Sequence, residues 1–88
     1  MKEYLKRMCN EHAELRIRID KLQKVVYGEV SDKINKVEYA NMAIQLAAMK
    51  KYEEALGARL ENAGIAVIGN DYFMKVGTIK EVKQEDKE

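Results

Sequence analysis

Leu5, Met8, His12, Leu15, Ile19, Leu22 and Val26 follow one another at alternating spacings of three and four. This is a heptad seam held for about three repeats, with one polar member, His12. A helix carrying such a stripe has to bury it against another helix. The rest of the chain is read as the source of that partner. The first helix is expected from Lys2 or Glu3 to about Val26. Glu3 with Arg7, Glu14 with Arg18 and Asp20 with Lys24 are acid-first i,i+4 pairs that favour it. Lys21 and Lys24 suit the negative end of the helix dipole, and Gly28 is the expected stop.

A polar connector from Gly28 to Asn35 follows. Asn35 is the best N-cap of a second helix, with Glu38 three residues on, and Ser31 is the rival one turn earlier. So short a connector returns the second helix antiparallel to the first. That helix is expected from Lys36 to Ala63, ended by Gly64. Tyr39, Met42, Leu46, Met49, Tyr52, Leu56, Leu60 and Ala63 form its large apolar stripe, the mate of the first seam. Beside it lie Ala40, Ala43, Ala47, Ala48, Ala55 and Ala58. They read either as helix-favouring filler or as a face for close contact between subunits. Gly57 costs a helix interior about 1 kcal/mol relative to Ala and marks close packing, a bend or nothing.

From Ile65 the apolar period shifts towards two. Ile65–Ile68, then Gly69-Asn70-Asp71, then Tyr72–Val76 read as a β-hairpin. A turn on Asn70-Asp71 pairs Ile68 with Phe73 and is preferred to one on Gly69-Asn70, which pairs Ile68 with Asp71. Gly77 reads as a bulge, with the strand continuing to Val82. A lone two-stranded ribbon is unstable in water, so it packs on the helices or on a neighbouring chain. The expected fold class is mainly α. The layout is one domain, with a helical hairpin over 1–63, a β-ribbon over 64–82 and a disordered charged tail over 83–88.

Eighty-eight residues bury a modest core, and the single Cys9 excludes an internal disulfide, so assembly as a homo-oligomer is expected. Charged residues make up 35% of the chain but cancel to +1, which gives no general pull towards nucleic acid or an anionic membrane. The first helix carries seven cations against four acids, interleaved as on a solvated coiled-coil surface, so nucleic acid is disfavoured as a partner. No apolar run approaches a bilayer span, and no export signal is expected of an N-terminal segment that enters an amphipathic helix at once. A cytoplasmic location is expected.

Catalytic constellations are lacking. Cys9 and His12 sit three apart beside Glu11 and Glu14, but there is no second His or Cys to complete a metal site, so neither metal nor cofactor is expected. His12 reads instead as a polar seam residue that sets register. Gly64-x4-Gly69 lacks the Lys-Ser/Thr of a phosphate loop. An enzyme is not expected. Five of the six aromatics are tyrosines. Tyr4 lies near Arg7 and Tyr27 near Lys24, and an aromatic face beside a cation stacks a base and holds a phosphate. Tyr39 and Tyr52, on the apolar stripe, read as core.

Two segments carry a resemblance. The first is Tyr4-Leu5-Lys6-Arg7-Met8 with Glu11-x2-Glu14-Leu15-x2-Arg18-Ile19-x-Lys21-Leu22. The second is Gln45-Leu46-x-Ala48-Met49-x2-Tyr52-x3-Leu56-x2-Arg59-Leu60. Over residues 2–62 the chain resembles a family of short helical-hairpin proteins of crAss-like and other bacteriophages. The resemblance implies a phage or prophage accessory protein. By analogy of size and build, it implies a sponge that sequesters a cyclic oligonucleotide or cyclic ADP-ribose-type immune signal at subunit interfaces. The residues expected to line such pockets are Tyr4, Arg7, Lys24, Tyr27, Arg59, Tyr72 and Phe73. The alternative is an interaction module that binds a host or phage protein through its exposed seam or ribbon edge.

Overall fold

The computed structural model describes residues 1–75. The expected bulge at Gly77, the strand to Val82 and the charged tail lie outside the described residues. Helix α1 runs Glu3–Val26, and a short 3₁₀ turn occupies Glu29–Lys33. Helix α2 runs Lys36–Asn62, followed by strands β1, Ile65–Ile68, and β2, Asp71–Met74. The protein is mainly helical, two long helices followed by a two-stranded antiparallel sheet.

Gly28 ends α1 for a reason of space. Its φ is −91°, an ordinary value, but a Cβ there would stand 2.1 Å from the Lys24 carbonyl oxygen. Asn35 caps α2 as expected, its Oδ1 accepting from the backbone N–H groups of Val37 and Glu38. Gly64 follows α2 at φ 86°. The helices run antiparallel, with the Tyr39 hydroxyl at the start of α2 donating to the Val26 carbonyl at the end of α1.

The α1 seam is the buried side of its helix. Leu5, Met8, His12, Leu15 and Val26 are buried, with Ile19 and Leu22 half-buried. In α2, Leu46, Leu56 and Leu60 are buried, but Tyr52 is 47% exposed and is not a core residue. Its neighbour Glu53 takes the inward position instead, because the run Leu46, Met49, Glu53, Leu56, Leu60 keeps the helical spacing that faces α1.

The ribbon register differs from the expected one. The turn is Gly69-Asn70, so Ile68 pairs with Asp71, Val67 with Tyr72, Ala66 with Phe73 and Ile65 with Met74. Gly69 has φ 62° at the first turn position, as a two-residue type II′ turn requires. A one-residue shift of pairing exchanges the faces of a strand. Here the faces are set by what lies beneath. Ile65, Val67, Tyr72 and Met74 turn towards the core of Leu5, Met8, Cys9, Leu15, Leu56 and Leu60, and Ile68 and Phe73 are left outside. The core therefore sits where the ribbon closes the open end of the hairpin.

Candidate functional site

The most specific polar feature lies at that junction. His12 is 2% exposed, and both its ring nitrogens are engaged. Its Nε2 lies 2.7 Å from Glu53 Oε2 and its Nδ1 lies 2.6 Å from the Tyr72 hydroxyl. A carboxylate only accepts, so Nε2 carries the hydrogen; in the neutral ring Nδ1 then accepts from the Tyr72 O–H. The His12 and Tyr72 rings meet edge to face. Three elements, α1, α2 and β2, are tied through one imidazole. Gly57 lies beside it, and a Cβ there would meet His12 Nε2 at 3.6 Å, an ordinary contact.

Arg16, one turn on from His12, donates from Nη1 to the Gly69 carbonyl at 2.8 Å and so latches the ribbon turn to α1. Burial raises the pKa of the Tyr72 hydroxyl, with the Arg16 guanidinium opposing in part. Burial likewise raises that of the Cys9 thiol. Both groups therefore hold their protons, which makes poor nucleophiles of them at neutral pH. Among the described residues, no group of three or more His, Cys, Asp or Glu gathers to hold a metal, and no helix is long and apolar enough to cross a membrane.

Two clefts flank Arg16. One, of about 560 Å³, opens between the helices and β1 beside His12, Glu53, Gly57 and Glu61. The other, of about 800 Å³, runs along α1 beneath the ribbon tip. Arg16, Lys21 and Lys24 bring cations to it, Asp20 and Glu53 acids, Ile17 and Ile19 apolar surface from opposite sides of α1, and Asn70 and Tyr72 the ribbon side. Lys24 also pairs with Asp20 at 3.0 Å, both side chains being largely exposed. The volume lies within the range of small-molecule sites.

Of the seven expected ligand residues, this groove brings together Lys24 and Tyr72. Tyr4 and Arg7 lie at the other end of α1 from Lys24 and Tyr27, about 30 Å away along the helix. Arg59 is exposed near the C-terminal end of α2, and Phe73 is on the outer face of the ribbon. The Tyr27 ring has Lys50 Nζ 5.6 Å from its centroid, a cation–π partner from α2. Within one chain, then, the seven form no single pocket. Sequence reasoning passed over Arg16, Lys21 and Asn70. The i,i+4,i+7 line of Ile17, Lys21 and Lys24 was the available signal, but its meaning depends on where the ribbon turn comes to rest.

A family model described as Sequestin matches residues 2–62 of the 88, which is the helical hairpin without the ribbon. No curated protein and no solved structure matches the chain. The match takes in both helices, and the chain belongs to the Sequestin family.

Proposed function

We propose that this protein sequesters a small phosphate-bearing nucleotide without converting it, in the groove between α1 and the ribbon tip. The family's name points to sequestration. The observation that supports the finer reading is that Arg16, Lys21 and Lys24 outnumber the acids Asp20 and Glu53 around a cleft of about 800 Å³. Cations take the phosphates, the exposed Ile17 takes a base or ribose face, and the Asn70 and Gln23 amides meet polar edges. The exposed Lys24–Asp20 pair is weak enough to yield to a phosphate. In biological terms the reading is a phage or prophage counter-defence protein in the host cytoplasm, whose ligand is a cyclic oligonucleotide or cyclic ADP-ribose derivative.

The test is native mass spectrometry with a panel of cyclic di- and trinucleotides and ADP-ribose derivatives, followed by heat release of whatever binds. Uptake of one ligand at defined stoichiometry and its release unchanged are expected. Lys21→Ala should weaken binding about tenfold, the effect of losing one charge-assisted hydrogen bond, with no change in thermal stability. A converted product would show an enzyme instead.

A second reading has its own observation. Ile68 and Phe73 are 64% and 50% exposed on the outer face of the ribbon, where a protein partner could bind. Indifference to the whole ligand panel together with capture of one partner chain would favour it.

A further inference from the structure

The free edge of β1 opens into a cleft. The Lys75 N–H donates to the Gly64 carbonyl at 2.9 Å. Hydrogen-bonded pairs alternate along an antiparallel ladder, so Ala66 with Phe73 and Ile68 with Asp71 are the next two. The N–H and C=O groups of Ile65 and Val67 therefore point away from β2, and among the described residues nothing takes them up. They face the cleft of about 560 Å³, whose other side is α2 with Glu53, Gly57 and Glu61 in line at i, i+4 and i+8. Strand β1 is Ile-Ala-Val-Ile, without the charge, proline or bulge that blunts an exposed edge. Gly57 keeps the α2 side open. A Cβ there meets only ordinary contacts, so the packing of the hairpin does not require glycine, but a longer side chain would take up space in the cleft.

We infer that this cleft binds an extended peptide of another protein, added to β1 as a third strand and carrying basic side chains four residues apart. An unpaired edge offers N–H donors as well as carbonyl acceptors, and a second backbone answers both at a strand spacing of about 4.8 Å. A polyamine, with donors alone, answers only the carbonyls. Charge selects the peptide. Glu53 gives Oε2 to His12 and leaves Oε1 without a partner among the described residues. The Glu61 side chain is 76% exposed, and its pair with Lys75 is a loose 3.9 Å. Of the two cations in the cleft, Arg16 is spent on the Gly69 carbonyl at the ribbon turn, and Lys75 lies beside Glu61. Glu53 and Glu61 are eight residues apart, about 12 Å along α2. Side chains i and i+4 of a strand share a face and lie about 13 Å apart. A Lys or Arg at each meets the two carboxylates, and the residue midway faces the gap at Gly57. The inference is independent of the α1 groove and of the outer ribbon face.

The test uses the full chain and the peptide fluorescein-Lys-Thr-Val-Thr-Lys-amide, read by fluorescence anisotropy and by hydrogen exchange of the Val67 amide. Saturable binding is expected, with exchange at Val67 slowed when the peptide is present. Replacing both peptide lysines by Glu, methylating the alternate peptide amides that meet β1, and Glu61→Lys in the protein should each weaken binding about tenfold or more. Gly57→Leu should block it while helical circular dichroism is retained. No binding at millimolar peptide overturns the inference. So does a methylated peptide that binds as well as its parent, which would leave a contact between charges only. A Val67 amide already protected in the free protein also overturns it, because the edge would then belong to a second copy or to this chain itself.

Discussion

His12 holds the molecule together at the scale of single residues. Both nitrogens are committed inside the core, one to a carboxylate from α2 and one to a hydroxyl from β2. Truncation to Ala would leave a cavity, with the Glu53 carboxylate and the Tyr72 hydroxyl without their partner. His12→Ala should therefore cost about 2–4 kcal/mol in urea unfolding. Tyr72→Phe removes one hydrogen bond and should cost about 1 kcal/mol at pH 7. The sign of its pH dependence follows from burial. The Tyr72 pKa is raised in the folded state, so the proton is held more tightly there than in the unfolded chain. Its contribution is complete below the ordinary tyrosine value near 10 and is lost as pH rises through the folded value. The stability difference between wild type and Tyr72→Phe should shrink above pH 10; a constant difference would remove Tyr72 from the alkaline response. The heptad pattern placed His12 in the seam, but neither of its partners was legible. Glu53 is 41 residues away and Tyr72 is 60 away, and no local spacing connects them.

At the scale of elements, the two helices were legible almost to the residue. Apolar periodicity, the Asn35 cap and glycine stops are local signals, and local signals survive folding. Two glycines of the hairpin answer to different constraints, one at a helix end and one inside a helix. Gly28→Ala would drive a Cβ into the Lys24 carbonyl at the end of α1 and should destabilise by at least about 1 kcal/mol. Gly57→Ala meets only ordinary contacts at 3.6 and 3.9 Å, so the gain in helix propensity should prevail, adding up to about 1 kcal/mol. Thermal melts of the two variants should move in opposite directions. The ribbon was legible as an element but not in register. Alternation permits either register, and cross-strand pairing of Ile68 with Phe73 looked better in isolation than Ile68 with Asp71. The hairpin beneath decides it, by giving Tyr72 a buried partner and Arg16 a carbonyl to hold.

For the whole molecule, the ribbon covers the open end of the hairpin rather than decorating it. Ile65 is fully buried among Leu5, Leu56 and Leu60, and Val67, Tyr72 and Met74 lie against the same cluster. A chain ending at residue 63 keeps both helices but exposes that core, and it should melt at a markedly lower temperature than the full chain. Equal melting temperatures would show that the hairpin is self-sufficient.

Helix limits, the capped connector, the buried seam and the existence of a hairpin strand pair all arise from residues within a few turns of each other, and the chain's own order of side chains was enough to dictate them. The candidate groove belongs to another class. Its cations were in plain view on α1, yet only the resting place of the Gly69-Asn70 turn brings Tyr72 and Asn70 over Arg16, Lys21 and Lys24. That placement depends on a one-residue choice of strand register, made by contacts 53 to 60 residues apart in the chain. Such contacts have no periodicity to announce them, and they exist only once the ribbon has packed on the helices.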